Sequence, residues 1–139
     1  MANAVLHDVD AGVKELLEGI AEWNSTGLVV TTGLGYSMVT HAYFQAGRWE
    51  ETLKYAQIGI EHIASCEEKH FLSEILRYKA EVLAMDNSTA DEAESLFKES
   101  IEVAKEQGSI ALIERANNSY ASYLQRIEKG QDAEKILNA

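Results

Sequence analysis

A helix–turn–helix unit that recurs every 40 to 41 residues constrains this chain more than any other feature of its sequence. The sharpest copy, AYFQAGRWEETL at 42–53, reads as the end of one helix, a tight turn at Gly47 and the start of a second helix folded back on the first. Weaker copies follow at 82–96 and 123–137. Two independent positions keep the spacing. The small residue at each second-helix start falls at Gly12, Thr52, Ala93 and Ala133; the apolar residue deep in each first helix falls at Tyr43, Leu83 and Leu124. Helix pairs repeated in this way stack into a solenoid in which each pair contacts its neighbours. The expected fold is an all-α, α-α superhelix of about seven antiparallel helices. Three helix pairs follow the second half of another, within a single domain spanning 1–139.

No proline interrupts the helices, and the abundant Ala, Glu, Leu, Ile and Lys favour them. Asp8 is placed to cap a first helix whose apolar stripe is Val9, Val13, Leu16, Leu17, Ile20 and Trp23, ending at Gly27. A second helix covers about 30–46, although Thr31, Thr32, Gly33 and Gly35 are poor helix formers. The third opens at Trp49 and buries Leu53, Ala56, Ile60 and Ile63. Ser65 with Glu68, and Thr89 with Glu92, have capping-box spacing, which puts turns near 64–66 and 89. Ser109 caps a sixth helix with Ile110, Ile113, Ala116, Tyr120, Ala121 and Leu124 inside, and Gly130 precedes a short last helix carrying Ala133, Ile136 and Leu137.

A net charge of −11 repels a phosphate backbone, and the twelve Lys and Arg form no patch, so nucleic acid is excluded as a partner. The acidity serves solubility, the other reading being a decoy for a basic protein. One cysteine, Cys66, allows no internal disulfide and fits a reducing cytoplasm. The N-terminus lacks the pattern of a signal peptide, and no apolar run approaches the ~20 residues a membrane span needs. The expected location is cytoplasmic.

His62, Cys66 and His70 would form a metal-binding face on one continuous helix, but the turn expected at 64–66 divides them, so no metal and no other cofactor is expected. TTGLGYSM lacks the lysine of a phosphate-binding loop, and no nucleophile-elbow or zinc-protease motif occurs. The acidic pairs Glu50–Glu51, Glu67–Glu68 and Asp91–Glu92 open helices, where they complement the dipole. The chain is not expected to be an enzyme.

AYFQAGRWEETL resembles the core of the tetratricopeptide (TPR) repeat, with Tyr36 where that family has its first aromatic and Ala93, Phe97 and Ser100 matching its second-helix series. Thr40 and Thr52 depart from the usual small residues, and the proline that ends each repeat is missing. ILRYKAEVLA, AESLFKESIEVAKEQGS, LIERANNSYASYL and GQDAEKIL are similar to the lengthened TPR arrays of bacterial ATPase-type transcriptional activators and adenylate cyclases. GIAEWNSTG and THAYFQAGRWEETL fit the same order upstream. Nothing here resembles the nucleotide-binding domain that precedes those arrays, which implies a piece of such an array or a free-standing relative.

The resemblance implies a concave face lined by the first helix of each pair, binding an extended peptide or partner protein. Carried onto this chain, the lining is Ser37, His41 and Gln45, then Arg77 and Glu81, then Arg115, Asn118, Ser122 and Gln125. This set does not match the lysine and asparagine clamp some TPRs use for a terminal carboxylate. The expected function is a non-catalytic protein-interaction scaffold of the kind that serves as a regulatory module. One alternative is a sensory array taking a small ligand or signalling peptide; another is a metal protein or enzyme on the same scaffold.

The last helix is barely two turns long, and the first carries a broad stripe including Leu6, so the uncapped ends are expected to pair as a homodimer or higher oligomer. Light scattering at high micromolar concentration should return a mass well above the 15.4 kDa of one chain. A monomer would rule the pairing out.

Overall fold

Gly47 and Gly108 adopt left-handed backbone conformations, with φ of 73° and 68°, where a side chain would be strained. They close two of the tight turns between helices. The computed structural model describes residues 2–27, 29–66, 69–127 and 136–137, except for the side chains at 2–8, 29–31 and 66. Six α-helices occupy these residues: α1 (Ala2–Ser25), α2 (Val29–Gln45), α3 (Trp49–Cys66), α4 (Leu72–Leu83), α5 (Ala90–Gln107) and α6 (Ile110–Arg126). A 3₁₀ turn, Asn87–Thr89, leads into α5, and the described residues contain no strand. The all-α expectation holds. The seventh helix and its Ala133 lie outside the described residues, apart from Ile136 and Leu137, which are helical. No described helix is long and apolar enough to cross a membrane.

Each helix packs on its chain neighbour, and in addition α2 packs on α4 and α4 on α6. The helices α2, α4 and α6 therefore lie side by side, with α1, α3 and α5 behind them. Burial repeats along both rows. Val39, Ala80 and Ala121, 41 residues apart, are buried in the front row. In the back row Thr52, Ala56 and Ile63 have buried counterparts 41 residues later at Ala93, Phe97 and Ala104. The threonines that depart from the family pattern are compatible with burial, because Thr40 Oγ1 donates to the Tyr36 carbonyl (2.8 Å) and Thr52 Oγ1 to the Arg48 carbonyl (2.7 Å). Gly12 breaks the series. It is exposed and Val13 is buried in its place, against Val39 and Tyr43 of α2.

Glycine also explains why α2 is continuous through a stretch of poor helix formers. A Cβ on Gly35 would stand 2.6 Å from Ile20 Cγ1, so α1 and α2 touch backbone to side chain there. A Cβ on Gly59 would meet Ile75 Cδ1 at 3.0 Å and Tyr36 Cβ at 3.1 Å, where α3 closes on both α4 and α2. Between α4 and α5 the contact is polar and reciprocal. Ser73 Oγ donates to the Ser100 carbonyl (2.9 Å) and Ser100 Oγ to the Ser73 carbonyl (2.8 Å), both residues being buried. Behind this seam Phe97 stacks on Tyr120 and Tyr123, with ring centroids 5.7 and 5.3 Å away.

Several local expectations need correction. Helix α1 begins at Ala2, so Asp8 lies inside it and does not cap it. Ser65 lies within α3 and donates to the His62 carbonyl (2.6 Å), so the turn moves to 69–71 and α4 follows Phe71 without a side-chain cap. Thr89 does precede α5, but its hydroxyl turns back to the Leu83 carbonyl (2.7 Å), leaving the helix start uncapped. Ser109 does cap α6, accepting from the Leu112 N–H at 3.3 Å. Ile110 is 75% exposed instead of inside. The stripe expected to lie open on α1 is turned onto α2: Val13 and Ile20 are buried, and Val9, Leu16 and Leu17 half-buried, around Val39 and Tyr43.

The two kinds of glycine give opposite expectations. Gly35→Ala should lower the unfolding free energy by about 1–3 kcal/mol, the cost of overpacking a full crossing. Gly12→Ala sits in α1 with nothing within 4 Å of the new Cβ, and should raise it by about 0.5–1 kcal/mol. Urea midpoints that moved in the same direction for both would contradict the α1–α2 crossing.

Candidate functional site: the inner face of α2, α4 and α6

Residues 74, 77, 78 and 81 of α4 recur at helical spacing, so they share one face. That face is flanked by α2 on one side and α6 on the other. Polar groups held there lose much of their water and must find partners. The Glu74 side chain is only 13% exposed, and each of its oxygens takes one arginine: Oε2 meets Arg77 Nη2 at 2.8 Å, Oε1 meets Arg115 Nη1 of α6 at 3.1 Å. Arg77 lies 4.4 Å over the Tyr78 ring and also reaches Ser119 of α6. The Tyr78 hydroxyl hydrogen-bonds His41 Nδ1 of α2, and its ring packs against Phe44 at 5.0 Å between centroids. One turn further on, Glu81 has a looser partner, Arg126 at 3.7 Å.

The two carboxylates respond oppositely. Burial opposes ionisation of Glu74, but the hydrogen bonds and charges of Arg77 and Arg115 outweigh it and hold its carboxyl below the ordinary range. Burial pushes the Glu81 carboxyl up, and Arg126 and Arg77 offset only part of that. Burial likewise raises the Tyr78 phenol.

A concavity of about 440 Å³ opens over this network. Leu34, Ser37 and His41 of α2 form one wall, Leu112 and Arg115 of α6 the other, and Phe71, Glu74 and Tyr78 the floor, with His70 at the rim before α4. Of the residues expected to line a groove, Ser37, His41 and Arg115 meet here. Arg77 and Glu81 lie on the same face of α4 but are largely covered and held in ion pairs. Gln45, Asn118, Ser122 and Gln125 are exposed and outside the concavity, the last three continuing along α6 beyond Arg115.

Sequence did not place Glu74, Tyr78, Phe71, Leu34 and Leu112 in a groove, and it read His70 only as part of a candidate metal trio. A signal for Glu74 was present: it stands three residues before Arg77 and 41 before Arg115, so the repeat itself sets opposite charges on adjacent helices. Among the described residues no group of three or more His, Cys, Asp or Glu side chains is placed to hold a metal ion. Comparison of the chain with protein-family models, with curated proteins and with solved structures finds no match.

Opposite stability effects follow from the carboxylates. The folded-state pKa of Glu74 is depressed, so its contribution is present above the unfolded carboxyl range and lost as pH falls through the folded value. That of Glu81 is raised, so its charged form weakens the fold near neutrality, and the penalty begins to ease as pH falls through the folded value and is gone below the unfolded carboxyl range. At neutral pH, Glu74→Gln should lower the unfolding free energy by about 2 kcal/mol by leaving arginine unpaired. Glu81→Gln should raise it by about 0.5 kcal/mol. Urea unfolding repeated in acid should show both differences shrinking.

Proposed function

We propose that this chain is a TPR-like, right-handed superhelix that acts as a non-catalytic protein-interaction scaffold, taking an extended peptide or partner segment along the inner face of α2, α4 and α6. The observation that carries the reading is the concavity bounded by three alternate helices, where apolar Leu34, Phe71 and Leu112 alternate with hydrogen-bonding Ser37, His41 and Arg115. A lining of that kind suits a peptide, whose backbone needs hydrogen bonds and whose side chains need apolar contact. Burial recurring at 41 residues in both helix rows supports a repeat architecture.

The chemistry of the face favours binding over catalysis. Glu74, neutralised by two arginines and held ionised, is poorly tuned as a general acid or base near neutral pH. A cytoplasmic location and self-association through the solenoid ends belong to the same proposal. The exposed Ile127 and Leu137 put apolar surface at the C-terminal end.

Arg77→Glu would set a second carboxylate against Glu74 and unfold the face, so it is a poor probe. Arg115→Gln, at a side chain 60% exposed, and Ser37→Trp, which fills the concavity, should each release a partner captured by the native protein, the first with a melting temperature lowered by the loss of one of Glu74's two arginines and the second with the fold intact. Lys98→Glu, exposed on α5, should retain it. A partner retained by both groove variants would overturn the groove. A metabolite that raised the melting temperature in a ligand screen would favour the sensory alternative.

A further inference from the structure

The inner face differs in charge from the molecule that carries it. Acidic residues outnumber basic ones by 23 to 12 over the chain, yet among the described residues Glu74 is the one acidic residue lining the concavity, against Arg115 and the imidazoles of His41 and His70. Arg77, just behind the lining, already pairs with Glu74. Two guanidiniums therefore share one carboxylate, which leaves a net positive charge among these three side chains. The layering matters as much as the sum. Glu74 is 13% exposed beneath Arg115, whose side chain is 60% exposed, so an approaching ligand meets the cation first. Apolar surface lies alongside, with Leu34 still 37% exposed and Phe71 and Leu112 half-buried.

We infer that the groove selects protein segments in which a single acidic residue stands beside an apolar one, with the carboxylate on Arg115 and the apolar side chain among Leu34, Phe71 and Leu112. This specificity rests on the groove reading above. A segment is favoured over a small acid because the face continues past the concavity: Asn118, Ser122 and Gln125 are exposed at successive turns of α6 after Arg115 and would serve a chain running along the helix. A single charge is favoured over a run. With a Debye length of about 8 Å at physiological salt, distant carboxylates are screened for one acidic residue at the site, while an acidic run extends over the negative surface around it. A bidentate or charge-assisted contact to an exposed arginine gives both the attraction and the discrimination.

The test uses degenerate, end-blocked peptide pools that differ at one fixed position beside a leucine: Glu, Gln or Lys. Fluorescence anisotropy on the full chain should show the Glu pool binding about tenfold tighter than the Gln pool, the difference expected of one charge-assisted contact, with the Lys pool weakest. Added salt should erode the Glu advantage and leave the Gln pool little changed. Arg115→Gln should bring the Glu and Gln pools to equal affinity while the helical circular-dichroism spectrum stays native, the melting temperature falling because Glu74 loses one of its two arginines. Equal binding of the two pools by the native protein, or selectivity that survives Arg115→Gln, overturns the inference and leaves the groove standing. A Gln pool with a free C-terminus that matches the Glu pool would show that a terminal carboxylate is read, and overturns it too. Binding by no pool overturns the groove itself.

Discussion

Gly35 and Gly59 bring neighbouring helices to distances that no larger residue would permit, and the rest of the architecture follows from that closeness. At Gly35 the missing Cβ leaves room for Ile20, and at Gly59 for Ile75 and Tyr36 at once. Alanine does the same at 80, 93, 104 and 121, all fully or almost fully buried. Small residues at crossings let apolar neighbours interdigitate at crystal-like density. They also explain how a chain with few aromatic residues closes three separate buried clusters.

Close packing has a consequence for the polar residues of α4. A helix with neighbours on several sides has little solvent-facing surface left, so Glu74, Arg77 and Glu81 are placed where charge is costly unless matched. The matching is done across helices. Arg115 of α6 completes Glu74, and His41 of α2 completes Tyr78. The inner face is thus a set of mutual obligations among three helices. The local cost of a charge depends on how good its partner is, which is why Glu74 and Glu81, two turns apart, shift in opposite directions.

Much of the fold was legible because it depends on patterns that repeat. The turn at Gly47, the cap at Ser109 and the repeat spacing of Thr52 and Ala93 are local or periodic signals, and they stand in the structure. Ser65 and Thr89 misled for a specific reason. A short hydroxyl satisfies itself equally well by accepting from an N–H ahead or donating to a carbonyl behind, and spacing does not say which; both donate backward. Gly12 misled because the residue α1 turns inward at that point is its neighbour Val13. Glu74 and Tyr78 went unread because a charge or a phenol on a helix face looks solvated until the neighbouring helix is in place. Opposite charges one repeat apart were the available clue.

Ser73 and Glu74 are consecutive residues with opposite outlooks. Ser73 gives its hydroxyl to the Ser100 carbonyl of α5 and takes the Ser100 hydroxyl on its own carbonyl, and Glu74 faces the groove. Rolling α4 about its own axis would therefore break both serine contacts. Any rotation that widened the groove by moving Glu74 would pull two buried serine hydroxyls off carbonyls that have no water to replace them. A ligand for this face meets a shape already set, so little of its binding energy is spent on ordering the receptor. The groove's floor is as stiff as the seam behind it, and it should loosen only on the timescale at which α4 and α5 separate.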